Sequence, residues 1–202
     1  MAVTRIHPTK QLLLDTAVAL IDESGPQGFT VDNVLETSGI SKGSLYHHFH
    51  DFDDLISNAQ VIRFSRSVDA DIAHIIEAVR RSTTREDFLG KVKGLAFIAS
   101  SEERRRERAS RAVIIGSSWG KPEFRAALAV EQRRLTDAFI DLVREISERG
   151  WVGTRFSPVV VATFVQAYTL GRLVDDLAEE HVDVSEWGDL IQAVITNLLT
   201  AD

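Results

Sequence analysis

Hydrophobic periodicity constrains this chain more than any other feature. Apolar residues recur at helical spacing almost from end to end, and the breakers fall between the repeats, 12 glycines and 4 prolines in 202 residues. Leu13, Ala17, Leu20 and Ile21 follow an i, i+4, i+7, i+8 face that Gly25-Pro26 closes, with Pro26-Gln27-Gly28 as the next turn. Thr30 is placed to cap a short helix carrying Val31, Val34 and Leu35. Gly39 supplies a left-handed stop, and Ser41 caps a second short helix carrying Leu45 and Phe49.

Longer elements follow. Asp51 with Asp54 resembles a capping pair and opens a helix to Arg80 or Arg81. Thr84 with Asp87 restarts the chain through about Ser100. Helices over Glu102 to Ile115 and Pro122 to Arg149 come next, the latter stopped by Gly150. Ser157-Pro158 opens a helix to about His181, and Ser185 caps a last one to Leu199. The β-branched run Val159-Val160-Val161 sits in a long helical pattern, so length favours helix. The expectation is an all-α fold of about nine helices in two domains. Residues 1–50 make a compact helix-turn-helix unit, and 51–202 a larger unit of long helices.

Composition excludes several classes. Zero cysteines remove disulfides, thiolate metal sites and cysteine nucleophiles. No apolar run reaches the ~20 residues that span a bilayer, and no leader-like stretch opens the sequence, so a cytoplasmic protein without a membrane partner is expected. No Gly-rich phosphate loop or His-Glu-x-x-His helix is present, so an enzyme is not expected, nor any cofactor. His47, His48 and His50 beside Asp51 do not share one helical face, which argues against a metal site. Their protonation near pH ~6.5 would instead add positive charge to this surface. Arg104, Arg105, Arg106, Arg108 and Arg111 alternate with Glu102, Glu103 and Glu107, the pattern of a solvated face with i, i+4 pairs. Asp175-Asp176 and Glu179-Glu180 flank an apolar helix and read as surface.

Residues 30–49 carry the functional signal. The second short helix exposes Lys42, Ser44, His47 and His48 while Leu45 and Phe49 turn inward. Gly43 lets another backbone approach, and the Tyr46 hydroxyl can reach a phosphate oxygen. A helix-turn-helix sets such a helix in the DNA major groove. On these residues alone, two small helices capping a bundle remain an equal alternative.

The segment Gly39-Ile40-Ser41-Lys42-Gly43-Ser44-Leu45-Tyr46-His47-His48-Phe49, preceded by Leu13, Ala17, Leu20, Ile21, Gly25, Thr30, Val31 and Val34 and followed by Leu55, resembles the TetR family of bacterial transcriptional regulators. The likeness covers about residues 10–55. It implies that Thr30 caps and touches phosphate, that Lys42, Ser44 and His47 face base edges or adjacent phosphates, and that Tyr46 and His48 anchor phosphates across a close approach at Gly43. It also implies a homodimer on a near-palindromic double-stranded DNA operator, with a small, largely apolar ligand relieving repression. Candidates for lining the ligand site are Phe97, Trp119, Phe139, Thr163, Gln166 and Tyr168, each with plain core as its alternative. Candidates for the dimer surface are Val160, Phe164, Ala167, Gly171 and Val174, with Trp187, Ile191, Val194, Ile195 and Leu198 on the last helix.

The chain departs from the family pattern at three positions. Phe52 stands where a lysine usually grips phosphate, Asp32 where a basic or polar residue is common, and Leu35 where a small alanine is common. Residues 1–50 hold three cations (Arg5, Lys10, Lys42) against five acids (Asp15, Asp22, Glu23, Asp32, Glu36). Few cations release few counterions, so a shallow salt dependence is expected. The alternative function is an apolar-ligand carrier or scaffold that keeps a vestigial helix-turn-helix.

Overall fold

A computed structural model describes residues 6–98, 101–153 and 155–199, excepting the side chains of 75, 78, 95–97, 195, 198 and 199. Among the described residues there is no strand, and ten helical segments follow one another. They are α1 (Pro8–Ser24), α2 (Val31–Ser38), α3 (Lys42–His48), α4 (Phe52–Arg80), α5 (Arg85–Ile98), α6 (Glu102–Ser117), α7 (Pro122–Glu148), α8 (Pro158–Gly171), α9 (Leu173–Asp176) and α10 (Val184–Leu199).

Local capping sets most of these boundaries. Thr30 Oγ1 accepts from Asn33 N while Thr30 N donates to Asn33 Oδ1, so two orphan donors at the start of α2 are satisfied reciprocally. Gly39 takes φ 68°, the left-handed conformation in which a Cβ would be strained, and turns α2 into α3. Asp51 accepts from Asp54 N at 2.8 Å, and Asp54 accepts in return from His50 N at 3.0 Å. Thr84 and Asp87 repeat the device, with Thr83 N as the returning donor.

Two boundaries depart from expectation. The helix expected to run to His181 stops at Gly171, because Arg172 turns inward. Arg172 is 3% exposed, lies over the Trp187 ring, and holds Asp175 at 2.7 Å. Asp175 in turn accepts from Val182 N, folding the chain back. At α10 the cap is Asp183, which accepts from Glu186 N, and not Ser185.

Helices α1–α3 close on the first turns of α4 around Leu13, Ala17, Val34, Leu45, Phe49, Leu55 and Ala59. Phe64 and Val68 of α4 join a second cluster with Ile114 of α6 and Phe124, Leu128 and Leu135 of α7. Val79 of α4 joins a third with Phe88 of α5, Ile146 of α7, Val152 and Ile191 of α10. The 29-residue α4 spans about 44 Å at 1.5 Å per residue and contributes to all three clusters. Elsewhere α7 packs on α4 and α8, α5 on α10, and α6 on α4 and α9. No helix among the described residues is long and apolar enough to cross a membrane.

Candidate functional site

At the head, Leu45 and Phe49 are buried, which turns the rest of α3 outward. Lys42, Gly43 and His47 are exposed, Tyr46 is 43% exposed, and Ser44 and His48 are half-buried. Thr30 is exposed at the start of α2. A Cβ at Gly43 would have no atom of the described residues within 4 Å, so no close contact within them requires glycine there. Phe52 does not reach outward as a lysine would. Its ring sits edge-on to Phe29 at 5.9 Å, packed against the head core. Asp32 lies exposed in the first turn of α2.

The structure adds two residues that sequence reasoning missed. His7 caps α1 and brings its ring within 4.9 Å of His48, which also meets His47 at 5.1 Å. Lys10 lies over the Phe49 ring. Partial burial, then His7, His47 and Lys10, hold the His48 pKa below its ordinary value. No local signal joins residue 7 to residue 48. Only the packing of α1 against α3 does.

In the body, a cavity of about 790 Å³ lies between α4, α5, α6, α7 and α8. Phe139, Thr163, Gln166 and Tyr168 line it, brought together from two helices. Gln166 Oε1 accepts from Gln132 Nε2 at 2.6 Å and from Thr136 Oγ1 at 3.3 Å, forming a polar band on an otherwise apolar wall. Burial raises the Tyr168 pKa. Trp119 is elsewhere. It is 68% exposed at the α6–α7 turn, with the Arg125 guanidinium 4.5 Å over its ring. The Phe97 side chain lies outside the described residues.

The arginine run of α6 corrects the expectation of a solvated face. Arg106 does pair with Glu102 in solvent, but Arg104, Arg108 and Arg111 occupy i, i+4, i+7 and line the cavity. Arg104 Nη1 and Arg111 Nη1 grip the two oxygens of Asp71 on α4, at 2.9 and 2.8 Å. Arg104 also holds Glu107, and Arg111 reaches Ser67. Arg108 chelates Asp176 through Nε and Nη2 at 2.7 and 2.6 Å. Asp175 and Asp176 are therefore not surface acids, with side chains 12% and 8% exposed. The Arg108 guanidinium holds the Asp176 carboxyl below the usual range. The spacing of 104, 108 and 111 was the available signal, obscured by the glutamates between them.

Along α8 and beyond, Val160, Phe164, Ala167, Gly171 and Val174 are exposed, and the first three also line the cavity. A Cβ at Gly171 would meet no atom of the chain. On α10, Ile191 is 5% exposed within the core and Trp187 packs against the same cluster, so neither forms part of an outer face. Alpha-5 covers that side of α10. Val194 is half-buried, and the side chains of Ile195 and Leu198 lie outside the described residues.

The α2–α3 pair has the form of a helix-turn-helix, set on a body of long helices with a cavity between them. Residues 13–59 match the family described as bacterial regulatory proteins, tetR family. The chain is 22% identical to the HTH-type transcriptional regulator UidR of Escherichia coli (strain K12), over 98% of this chain and 96% of that one. It is 27% identical to the HTH-type transcriptional repressor AcnR of Corynebacterium diphtheriae, over 73% of this chain and 70% of that one. Salmonella enterica GusR shares its fold, with a TM-score of 0.67 at 18% identity over 98% of both chains. So does a transcriptional regulator from Saccharomonospora viridis in complex with choline, with a TM-score of 0.64 at 16% identity, covering 96% of this chain and 98% of that one. The resemblance read from residues 10–55 agrees with these findings: residues 13–59 match the tetR family, and nearly the whole chain is similar to an HTH-type transcriptional regulator.

Proposed function

We propose that the chain acts as a homodimeric repressor, binding a near-palindromic operator and released from it by a small molecule in the body. The observation that carries this reading is the part α4 plays in both regions. Its first turns close the core beneath α3, and its middle lines the cavity, so one rigid element adjoins both sites. A ligand that binds two settings of α4 unequally shifts the population between them. The complex of the Saccharomonospora viridis regulator with choline supports a small-molecule ligand for this chain as well. Residues 1–50 serve as the reading domain and 51–202 as the sensing and dimerising domain.

In this reading Lys42, Ser44 and His47 face bases or adjacent phosphates, while Thr30, Tyr46 and His48 hold phosphates. Val160, Phe164, Ala167, Gly171 and Val174, with exposed Leu190 of α10, supply the dimer face. The test is selection of binding duplexes from a random library at low salt, read by gel retardation. A recovered near-palindrome should be bound about tenfold more weakly by Tyr46→Ala at every variant site, the scale of one lost phosphate hydrogen bond. Lys42→Ala should change which sequences win. Recovery of no consensus by a folded dimer would sink the regulator reading.

A further inference from the structure

The cavity combines two chemistries. Its walls are apolar, with Phe88, Leu135, Phe139, Ile146 and Phe164 among them, yet Arg104, Arg108 and Arg111 enter it along one face of α6. A helix of a sensing body does not need three half- to fully buried guanidiniums for stability, since apolar residues of similar volume serve at least as well. Among the described residues, the carboxylates that Arg104 and Arg111 meet are those of Asp71 and Glu107. Asp71 bridges Arg104 and Arg111, one oxygen to each, on guanidiniums that carry five donors apiece.

Building on the repressor reading, we propose that the cavity takes an apolar carboxylic acid, whose carboxylate is received by Arg104 and Arg111 in competition with Asp71. Guanidinium pairs are suited to planar carboxylates, which they hold bidentately. The apolar walls take the rest of the molecule, and a volume of about 790 Å³ falls in the range of small-ligand sites. The charged end specifies the class of ligand.

The same exchange supplies a route to α4. Asp71 sits at the middle of α4, and through it α6 holds that helix. Ser67 and the Phe64 ring, also on α4, bind the same Arg111. A second tie lies near the foot of α4, where Lys121 pairs with Asp53 at 2.7 Å. A carboxylate that draws Arg104 and Arg111 from Asp71 releases the middle tie and leaves the foot as a pivot. Asp71 is thus an internal stand-in for the ligand's charged group.

The test uses the full-length protein, with decanoate and phenylbutyrate as probes, each against its primary amide. The amides keep the shape and remove the charge. Binding is read by calorimetry and by the shift in melting temperature. Each carboxylate should bind at least tenfold more tightly than its amide, and Arg111→Met should erase that preference. Asp71→Asn should melt lower than wild type, and carboxylate should bind it more tightly and raise its melting temperature more than it does wild type's. That gain keeps the proposal testable even if Arg111→Met fails to fold. Equal binding of acids and amides, no binding of either, or no gain in Asp71→Asn would overturn the proposal. The repressor reading is judged separately on the selected operator duplex. Carboxylate binding that leaves DNA retention unchanged would sink ligand relief while the carboxylate site stands.

Discussion

The head and the body are made of the same element and differ in what they enclose. Leu13, Ala17, Val34, Leu45 and Leu55 of the head are fully enclosed in one cluster, with Thr16 the buried polar residue of α1. The body splits its apolar residues into two clusters and leaves a cavity lined partly by arginines. A close-packed apolar core has one good arrangement and resists deformation. A cavity bounded by exchangeable ion pairs has more than one. The contrast pairs rigidity with the region that carries α3, and adaptability with the region that holds the cavity.

The sharpest way to break that contrast is Leu45→Ala. It opens a void in a fully packed core and should cost about 4 kcal/mol, within the range for buried leucines, measured by urea denaturation. Next is Asp176→Asn, which removes the carboxylate that the Arg108 guanidinium chelates and should cost about 3 kcal/mol at neutral pH. Because the Asp176 pKa is depressed on folding, its stabilisation is complete above the unfolded value of ~3.9 and is lost as pH falls through the lower folded value. The difference between wild type and Asp176→Asn should therefore hold from neutral pH down to about pH 4 and close only below it.

Phe139→Ala should be milder than Leu45→Ala, at about 2 kcal/mol, although it removes a larger side chain. Phe139 already borders open space, so part of its packing is absent to begin with. Equal costs at the two positions would erase the proposed difference between head and body. The smallest effect concerns His48. Its depressed pKa means that the unfolded chain takes up the proton first, so head stability falls as pH drops from neutral through the folded pKa. A bound phosphate would favour the same proton, so operator affinity should rise a few-fold from pH 7.5 to about 6. His48→Gln should flatten both trends. Unchanged slopes in that variant would remove His48 from the phosphate contacts.

Where expectation and structure agree, the determining contacts are short in sequence. Thr30 with Asn33, Gly39, and Asp51 with Asp54 satisfy backbone groups within four residues, so helix ends can be read directly from the chain. The burial of Leu45 and Phe49 follows from their spacing on one face of α3. Disagreements arise where a distant partner decides. Trp119 is an aromatic in a helix-rich body, and nothing near it in sequence says that it faces solvent over Arg125. Ile191 belongs to an apolar stripe whose partner, α5, lies about a hundred residues earlier. Arg172 ends α8 by packing on Trp187 of another helix.

By itself, the sequence determined the helical class, most helix boundaries, and the residues that α3 turns outward. Capping, glycine stops and apolar periodicity act through bonds and faces a few residues long. Tertiary structure alone decided which charges are buried. Arg104, Arg108 and Arg111 read as a solvated run because glutamates separate them, while their acidic partners Asp71 and Asp176 stand 33 and 68 residues away from Arg104 and Arg108. The desolvation of a charge depends on what packs over it, and that is fixed only when α4, α6 and α9 meet.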